Sequence, residues 1–357
     1  MHPPVHFATN PIHPNVIRTL QRKQYEQRTT EWYDVRKSLI TASSAAQALT
    51  MEECVVRPFI DQFGMQGSVK IAPKKCCGYK GTVKDIILDK CGLGEPFTGN
   101  QYTRWGQKYE PIASTIYSQL RQRDVFDVGL VVHDEFPFLG ASPDGITTDG
   151  ILLEIKCPAV RDLYGYPPLH YFIQILLQLE CTGLTECDYI DCIFAEYVHE
   201  GDFLEEAREW EKSNPDATHH IFGIFMAREL APVSDESEAD IEKEYVYAYA
   251  PVSVRKIDEF MAWASTQEGE RVYYKLHEHH ICRVKADKAW FEAVQPKLAE
   301  VWRQITYHRT IVGMKELTDG LAIKHKARVA RADKRMEKAA ASKLAASLEN
   351  IYMQSVF

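Results

Sequence analysis

The chain has 357 residues, 45% hydrophobic and 26% charged, with a formal net charge of -8 and 9 cysteines. This balance excludes a chain that is disordered overall and a protein that coats nucleic acid unspecifically, and the length suffices for one large core or a core with an appended unit. The cysteines are scattered without zinc-type spacing, and neither a secretory signal nor a long apolar run is visible. Free thiols in a reducing, intracellular compartment, the cytoplasm or nucleus, are therefore expected, with no membrane partner.

The charges are uneven: residues 1–110 carry 15 Lys and Arg against 10 Asp and Glu, and residues 199–272 carry 7 against 18. In chain order, residues 1–28 open Pro- and His-rich and are expected to be flexible. Trp32-Tyr33-Asp34-Val35-Arg36 is followed by Leu39-Ile40-Thr41-Ala42-Ser43. Lys70, Lys74, Lys75, Lys80 and Lys84 punctuate a basic loop. A helix is expected from Tyr102 to Leu120, with Glu110 facing the sheet one turn from Ile112 and Ala113. Asp144, in Ser142-Pro143-Asp144-Gly145, precedes a turn over residues 145–150. Leu152 to Cys157 then alternates with the period of a strand, projecting Glu154 and Lys156 from one face and Leu153, Ile155 and Cys157 from the other. A hairpin here returns Asp144 beside Glu154.

A helix from Leu169 to Leu179 places Gln174 and Gln178 on one face, with the Gln174 amide expected to hold Lys156 or a site water and Gln178 the lesser partner. Residues 188–198 read as a core strand. Residues 199–280 form an acidic insertion with a helix, strands over Ile221 to Ala227 and Glu244 to Ala250, and a helix from Val254 to Thr266; His277, His279 and His280 read as a polar turn. Residues 281–315 supply a helix, Asp287 to Tyr307, that completes the core, and residues 316–357 a basic C-terminal helix or tail.

Two carboxylates and an ammonium converging at a hairpin suit phosphodiester hydrolysis. An Asp and a Glu offer hard oxygen ligands for Mg²⁺, with Mn²⁺ as a substitute, and a lysine beside the ion orients or deprotonates water if its pKa is lowered. The pattern is short, and a solvated surface hairpin would show it too.

A second layer of matches narrows the reading. The chain resembles the lambda exonuclease type of nuclease, the YqaJ-like viral recombinase family of the PD-(D/E)xK superfamily, from about Glu31 to Gly183 and again near Cys282 to Trp302. The resemblance is carried by Trp32-Tyr33-Asp34-Val35-Arg36, Thr41-Ala42-Ser43, Trp105-Gly106-Gln107-Lys108-Tyr109-Glu110, the Asp144 and Glu154-Ile155-Lys156 pair, and Tyr171-Phe172-Ile173-Gln174. It implies an α/β restriction-endonuclease-like core, with a central mixed sheet flanked by helices, over residues 29–198. It implies metal ligation by Asp144, Glu154, the Ile155 backbone carbonyl and, as an additional acid, Asp134; catalytic roles for Lys156, Glu110 and Gln174; and 5′-phosphate binding by Arg36, Ser43 and Ser142. Cys282 stands alone where related nucleases cluster iron-sulfur ligands, so no cluster is expected.

The activity this implies is Mg²⁺-dependent 5′-to-3′ digestion of one strand of double-stranded DNA, leaving 3′ single strands for viral or phage-type recombination or replication. DNA ends, a single-strand annealing protein and a homo-oligomer are the implied partners. The alternatives are an endonuclease on the same core, or an inactive module that only binds DNA ends.

Overall fold

The hairpin around Asp144 forms, and everything that positions the site is built outward from it. The computed structural model describes residues 7, 11–49, 57–64, 82–94, 100–230, 245–323, 326, 331, 334 and 335. Along the chain the strands are β1 (Ile40–Thr41), β2 (Val125–Phe126), β3 (Val131–Val132), β4 (Leu139–Ala141), β5 (Gly145–Thr147) and β6 (Leu152–Lys156). They continue with β7 (Glu186–Tyr197), β8 (Phe222–Glu229), β9 (Tyr245–Tyr249) and β10 (Glu270–Lys285).

Seven strands join in the order β2-β5-β6-β7-β10-β8-β9, and β1-β4-β3 form a small second sheet. β6 pairs parallel to β7 with Glu154 opposite Tyr189, while β5 pairs antiparallel to β6 with Gly145 opposite Leu153. The result is an α/β fold with a mixed sheet flanked by helices, as expected. Gly145 is required by a close approach: a Cβ there would lie 2.4 Å from Val125 Cγ1.

The alternation in β6 sorts side chains between two helical layers and not between core and solvent. Leu152, Leu153 and Glu154 are each 0% exposed. Leu153, Ile155 and Cys157 meet Tyr109, Ile112 and Ile116 of the helix Gln101–Arg121, whereas Leu152 joins Phe172, Ile173 and Leu176 of the helix Leu169–Thr182. Glu154 therefore faces a helix. The helix Lys288–His308 closes this second layer with Trp290, Val294, Leu298 and Ile305.

Two expectations differ from the structure. Part of the N-terminal stretch is ordered: helix Pro14–Gln21 starts on a proline, buries Val16 fully, and is followed by Arg22, which donates to the Cys181 carbonyl at 2.6 Å. The segment 199–280 contributes β8 and β9, which extend the main sheet through β10. β10 also runs past residue 280 and pairs with β7 from Tyr273–Tyr197 to Lys285–Glu186, so His277, His279 and His280 lie on a strand. The 70–81 lysines and most of the basic C-terminal stretch lie outside the described residues.

Candidate active site

The hairpin geometry joins Asp144 and Glu154 directly. The Asp144 N–H donates to the Leu153 carbonyl at 3.1 Å, and the Ile155 N–H donates to Asp144 Oδ2 at 2.6 Å. This clamps the aspartate across the base of β6. Burial first, and then the neighbouring Glu154 carboxylate, raise the Asp144 carboxyl well above its ordinary range. Lys156 Nζ bonds Glu154 Oε1 and lies 4.8 Å from the centre of the Tyr171 ring. Burial pulls the Lys156 ammonium down, but Glu154 and Asp144 together outweigh it and hold it above the usual lysine range. Without a metal between them, two acids thus surround one cation.

Two glutamines of the helix Leu169–Thr182 hold the glutamate. Gln174 Nε2 donates to Glu154 Oε1 at 2.6 Å and Gln178 Nε2 to Oε2 at 2.7 Å. Gln174 reaches Glu154 itself, and Gln178, set aside in the sequence reading, is an equal partner. The i, i+4 spacing was the available signal. Gln178 is fully buried, and its Oε1 has no hydrogen-bond partner among the described residues.

Glu110 approaches from the other helical layer. Burial raises its carboxyl, Arg28 and Lys156 oppose that rise, and Glu154 adds to it. Arg28 pairs with Glu110 at 3.1 Å from a left-handed backbone, φ 69°. Such a conformation strains a non-glycine residue, and here it turns the guanidinium toward the site. Next to it, Gln27 Nε2 donates to the Pro143 carbonyl at 2.9 Å, bracing the chain beside Asp144. An open cleft of about 440 Å³ leads to this group, lined by Glu110, Ile155, Lys156, Arg161 and Tyr171 among others. Arg161, which sequence reasoning missed, is anchored on the buried Asp191 at 2.5 Å.

Arg36, Ser43 and Ser142, spread over more than 100 residues, also come together. Arg36 donates to Ser43 Oγ at 3.4 Å, its guanidinium lies 4.2 Å from the centre of the Trp32 ring, and Trp32 Nε1 donates to Ser142 Oγ at 3.0 Å. Trp32 is thus the shared wall of the group. Lys90 Nζ donates to the Arg36 carbonyl at 2.9 Å, and Arg309 binds the Lys90 carbonyl at 2.8 Å, adding two cations that no motif signalled. Burial lowers the pKa of both Arg36 and Lys90.

Asp134 is not brought to the site. It is 81% exposed and pairs with Arg22 at 2.7 Å. The register explains this: Val131 lies opposite Ala141 and Val132 opposite Gly140, so the chain at Asp134 travels away from Asp144. At about 3.3 Å per residue the two acids end up at opposite ends of the β3–β4 ladder.

Residues 31–185 match the YqaJ-like viral recombinase domain. The chain carries a YqaJ-like domain. The uncharacterized protein R354 of Acanthamoeba polyphaga mimivirus is 25% identical over 85% of this chain and 56% of its own length, so the chain spans little more than half of that curated relative. Among solved structures, the alkaline exonuclease LHK-Exo of Laribacter hongkongensis, seen also in complex with dAMP, is 18% identical. It covers 84% of this chain and 98% of its own, with a TM-score of 0.41. The phage related exonuclease of Haemophilus somnus 129PT is 10% identical, covering 76% of this chain and 96% of its own, with a TM-score of 0.37.

The donors of the YqaJ-like domain's site fit a hard divalent cation. Asp144 and Glu154 offer oxygen donors, and burial, with the neighbouring Glu154 carboxylate, raises the Asp144 carboxyl, an arrangement that a positive charge between them would relieve. Among the described residues no group of three or more His, Cys, Asp or Glu is arranged to hold a metal. Two carboxylates with a carbonyl, water and substrate phosphate suit Mg²⁺, which keeps much of its hydration. No helix among the described residues is long and apolar enough to cross a membrane.

Proposed function

We propose that the protein is a Mg²⁺-dependent deoxyribonuclease, with Mn²⁺ as a substitute, that digests one strand of duplex DNA from its 5′ end and leaves a 3′ single strand. The observation that carries this reading is the convergence of Asp144, Glu154 and Lys156, with Asp144 two residues along the chain from Ser142, which is linked through Trp32 to Arg36 and Ser43. Asp144 and Glu154, with the Ile155 carbonyl, would hold the ion, which supplies Lewis acidity and a more acidic water.

The protein groups do the rest. Lys156, bonded to Glu154, orients the attacking water and neutralises charge on the phosphoryl oxygens. Gln174 and Gln178 keep Glu154 in one rotamer. Glu110 is the further acid of the site, and Arg28 balances its charge. Arg36 presents a guanidinium fork to a terminal phosphate, with the Ser43 and Ser142 hydroxyls as added donors. The reading includes a role in viral recombination or replication, a single-strand annealing partner, a homo-oligomer and an intracellular setting.

A duplex labelled at either end, with and without a 5′-phosphate, tests it in Mg²⁺ and in chelator. Loss of label as mononucleotides from the 5′ end, faster with the phosphate and absent in chelator, is the expected result. Internal cuts would indicate an endonuclease, and binding without cleavage an end-binding module.

A further inference from the structure

Residues 245–249 read Tyr-Val-Tyr-Ala-Tyr, and the period of a strand places three phenol rings on one face of β9. β9 ends the seven-stranded sheet and pairs only with β8 among the described residues. The rings of Tyr245 and Tyr247 are 6.3 Å apart with planes inclined by 14°, and those of Tyr247 and Tyr249 are again 6.3 Å apart. Phe225 of β8 supports the last two at 5.6 and 5.9 Å. Exposure grades along the row, from 42% at Tyr245 to half-buried at Tyr247 and Tyr249. Edge strands are commonly blunted by charge, and this one instead presents an aromatic ladder.

The inner end of the ladder is joined to the active site. Tyr249 donates its hydroxyl to the Lys108 carbonyl at 2.8 Å, on the helix that carries Glu110, and it lies in the field of Arg28 and Glu110. Tyr247 lies in the field of Glu196 and, less strongly, of Arg104 from the same helix. The acidic helix Glu200–Ser213 packs on the opposite face, where Ala248 and Ala250 point. The tyrosine face thus has Arg28, Arg104 and Lys108 beside Glu110 and Glu196 as its neighbours, whereas the acidic helix of its segment lies on the other side.

We propose that Tyr245, Tyr247 and Tyr249 form a stacking track for single-stranded DNA that runs from the active site to the sheet edge. Evenly spaced rings bind bases without regard to sequence, since every base offers a π-face, and neighbouring cations hold the backbone. The proposal rests on the nuclease reading, which supplies single strands from two sources: the strand left uncut and the strand being cut.

The test uses the full chain in chelator, so that nothing is cleaved, with a labelled oligothymidylate and an abasic oligomer of equal length followed by anisotropy. Tyr245→Ala and Tyr247→Ala should each weaken oligothymidylate binding by roughly 5- to 100-fold, leave abasic binding unchanged, and be rescued by Tyr247→Phe at that position. A 2-aminopurine base placed in the overhanging or the recessed strand of a tailed duplex should be quenched in one of them, which names the strand. The track is overturned if both alanine variants bind oligothymidylate as wild type does, if abasic binding falls equally, or if neither probe is quenched. It is also overturned if light scattering shows that the β9 edge pairs two copies and these variants change only that pairing. Tyrosine-dependent binding by a wild-type protein that cuts no duplex in Mg²⁺ would keep the track and remove the nuclease reading.

Discussion

Replacing Gln178 by Leu removes one buried amide and changes little else in volume. The lost contact is a 2.7 Å hydrogen bond to a carboxylate that is 0% exposed, in the class worth about 1.5–3 kcal/mol. Against that, Gln178 Oε1 is buried without a partner among the described residues, and deleting such an atom returns about 1–3 kcal/mol. The two nearly cancel, so the melting temperature in chelator should fall by no more than about 2–4 °C, the shift that about 1 kcal/mol gives in a domain of this general size. The catalytic effect does not cancel. Glu154 Oε2 loses its donor while Oε1 keeps Gln174 and Lys156, so the carboxylate gains a rotational freedom that it lacks in the intact site. Loss of a group that orients a metal ligand typically costs about 10- to 100-fold in metal affinity or activity. Cleavage rates measured across a Mg²⁺ titration, beside thermal melts in chelator, separate the two effects. An unchanged Mg²⁺ requirement in Gln178→Leu would refute the positioning role, whatever happens to the melt.

Asp144→Asn should abolish cleavage yet melt higher than wild type in chelator near neutral pH. The Asp144 carboxyl is raised in the fold, so its contribution to stability is full below its unfolded pKa, near about 3.9, and is lost as pH rises through the folded value. The gain from Asn should therefore vanish near about pH 4, and melts at both pH values check it. Lys156→Ala should lower turnover by about 10²–10⁴-fold with little change in Mg²⁺ requirement, which single-turnover rates at saturating DNA would reveal. Arg36→Ala should slow digestion and shrink the difference between 5′-phosphate and 5′-hydroxyl ends, because a terminal phosphate carries roughly one more charge than a diester. Equal discrimination by that variant and wild type would dismiss the pocket.

The part of the site legible from the chain is the part that local geometry builds. Asp144, Glu154 and Lys156 lie within a single hairpin, so strand period and turn chemistry suffice to bring them together. The helices at 101–121, 169–182 and 288–308 were equally visible, because their apolar residues repeat at helical spacing over several turns. Arg36, Ser43 and Ser142 were grouped only through a resemblance, since nothing in their spacing says that β1 lies parallel to β4.

Other features depended on packing between distant segments. Asp134 follows β3 away from the site because of a register that no local pattern encodes. His277, His279 and His280 look like a polar turn in isolation, yet β7 and β8 recruit them and their neighbours into one long strand. The upward shift at Lys156 reflects burial opposed by two carboxylates, a balance set only when the helix Leu169–Thr182 seals Glu154. The sequence by itself determined the strand, the hairpin and the residue types that can carry the chemistry, because these follow from neighbours along the chain. Tertiary structure alone decided which acids share a charge, which glutamine fills the core and where the tyrosine ladder ends, because burial and long-range contacts are properties of the packed sheet and its helices.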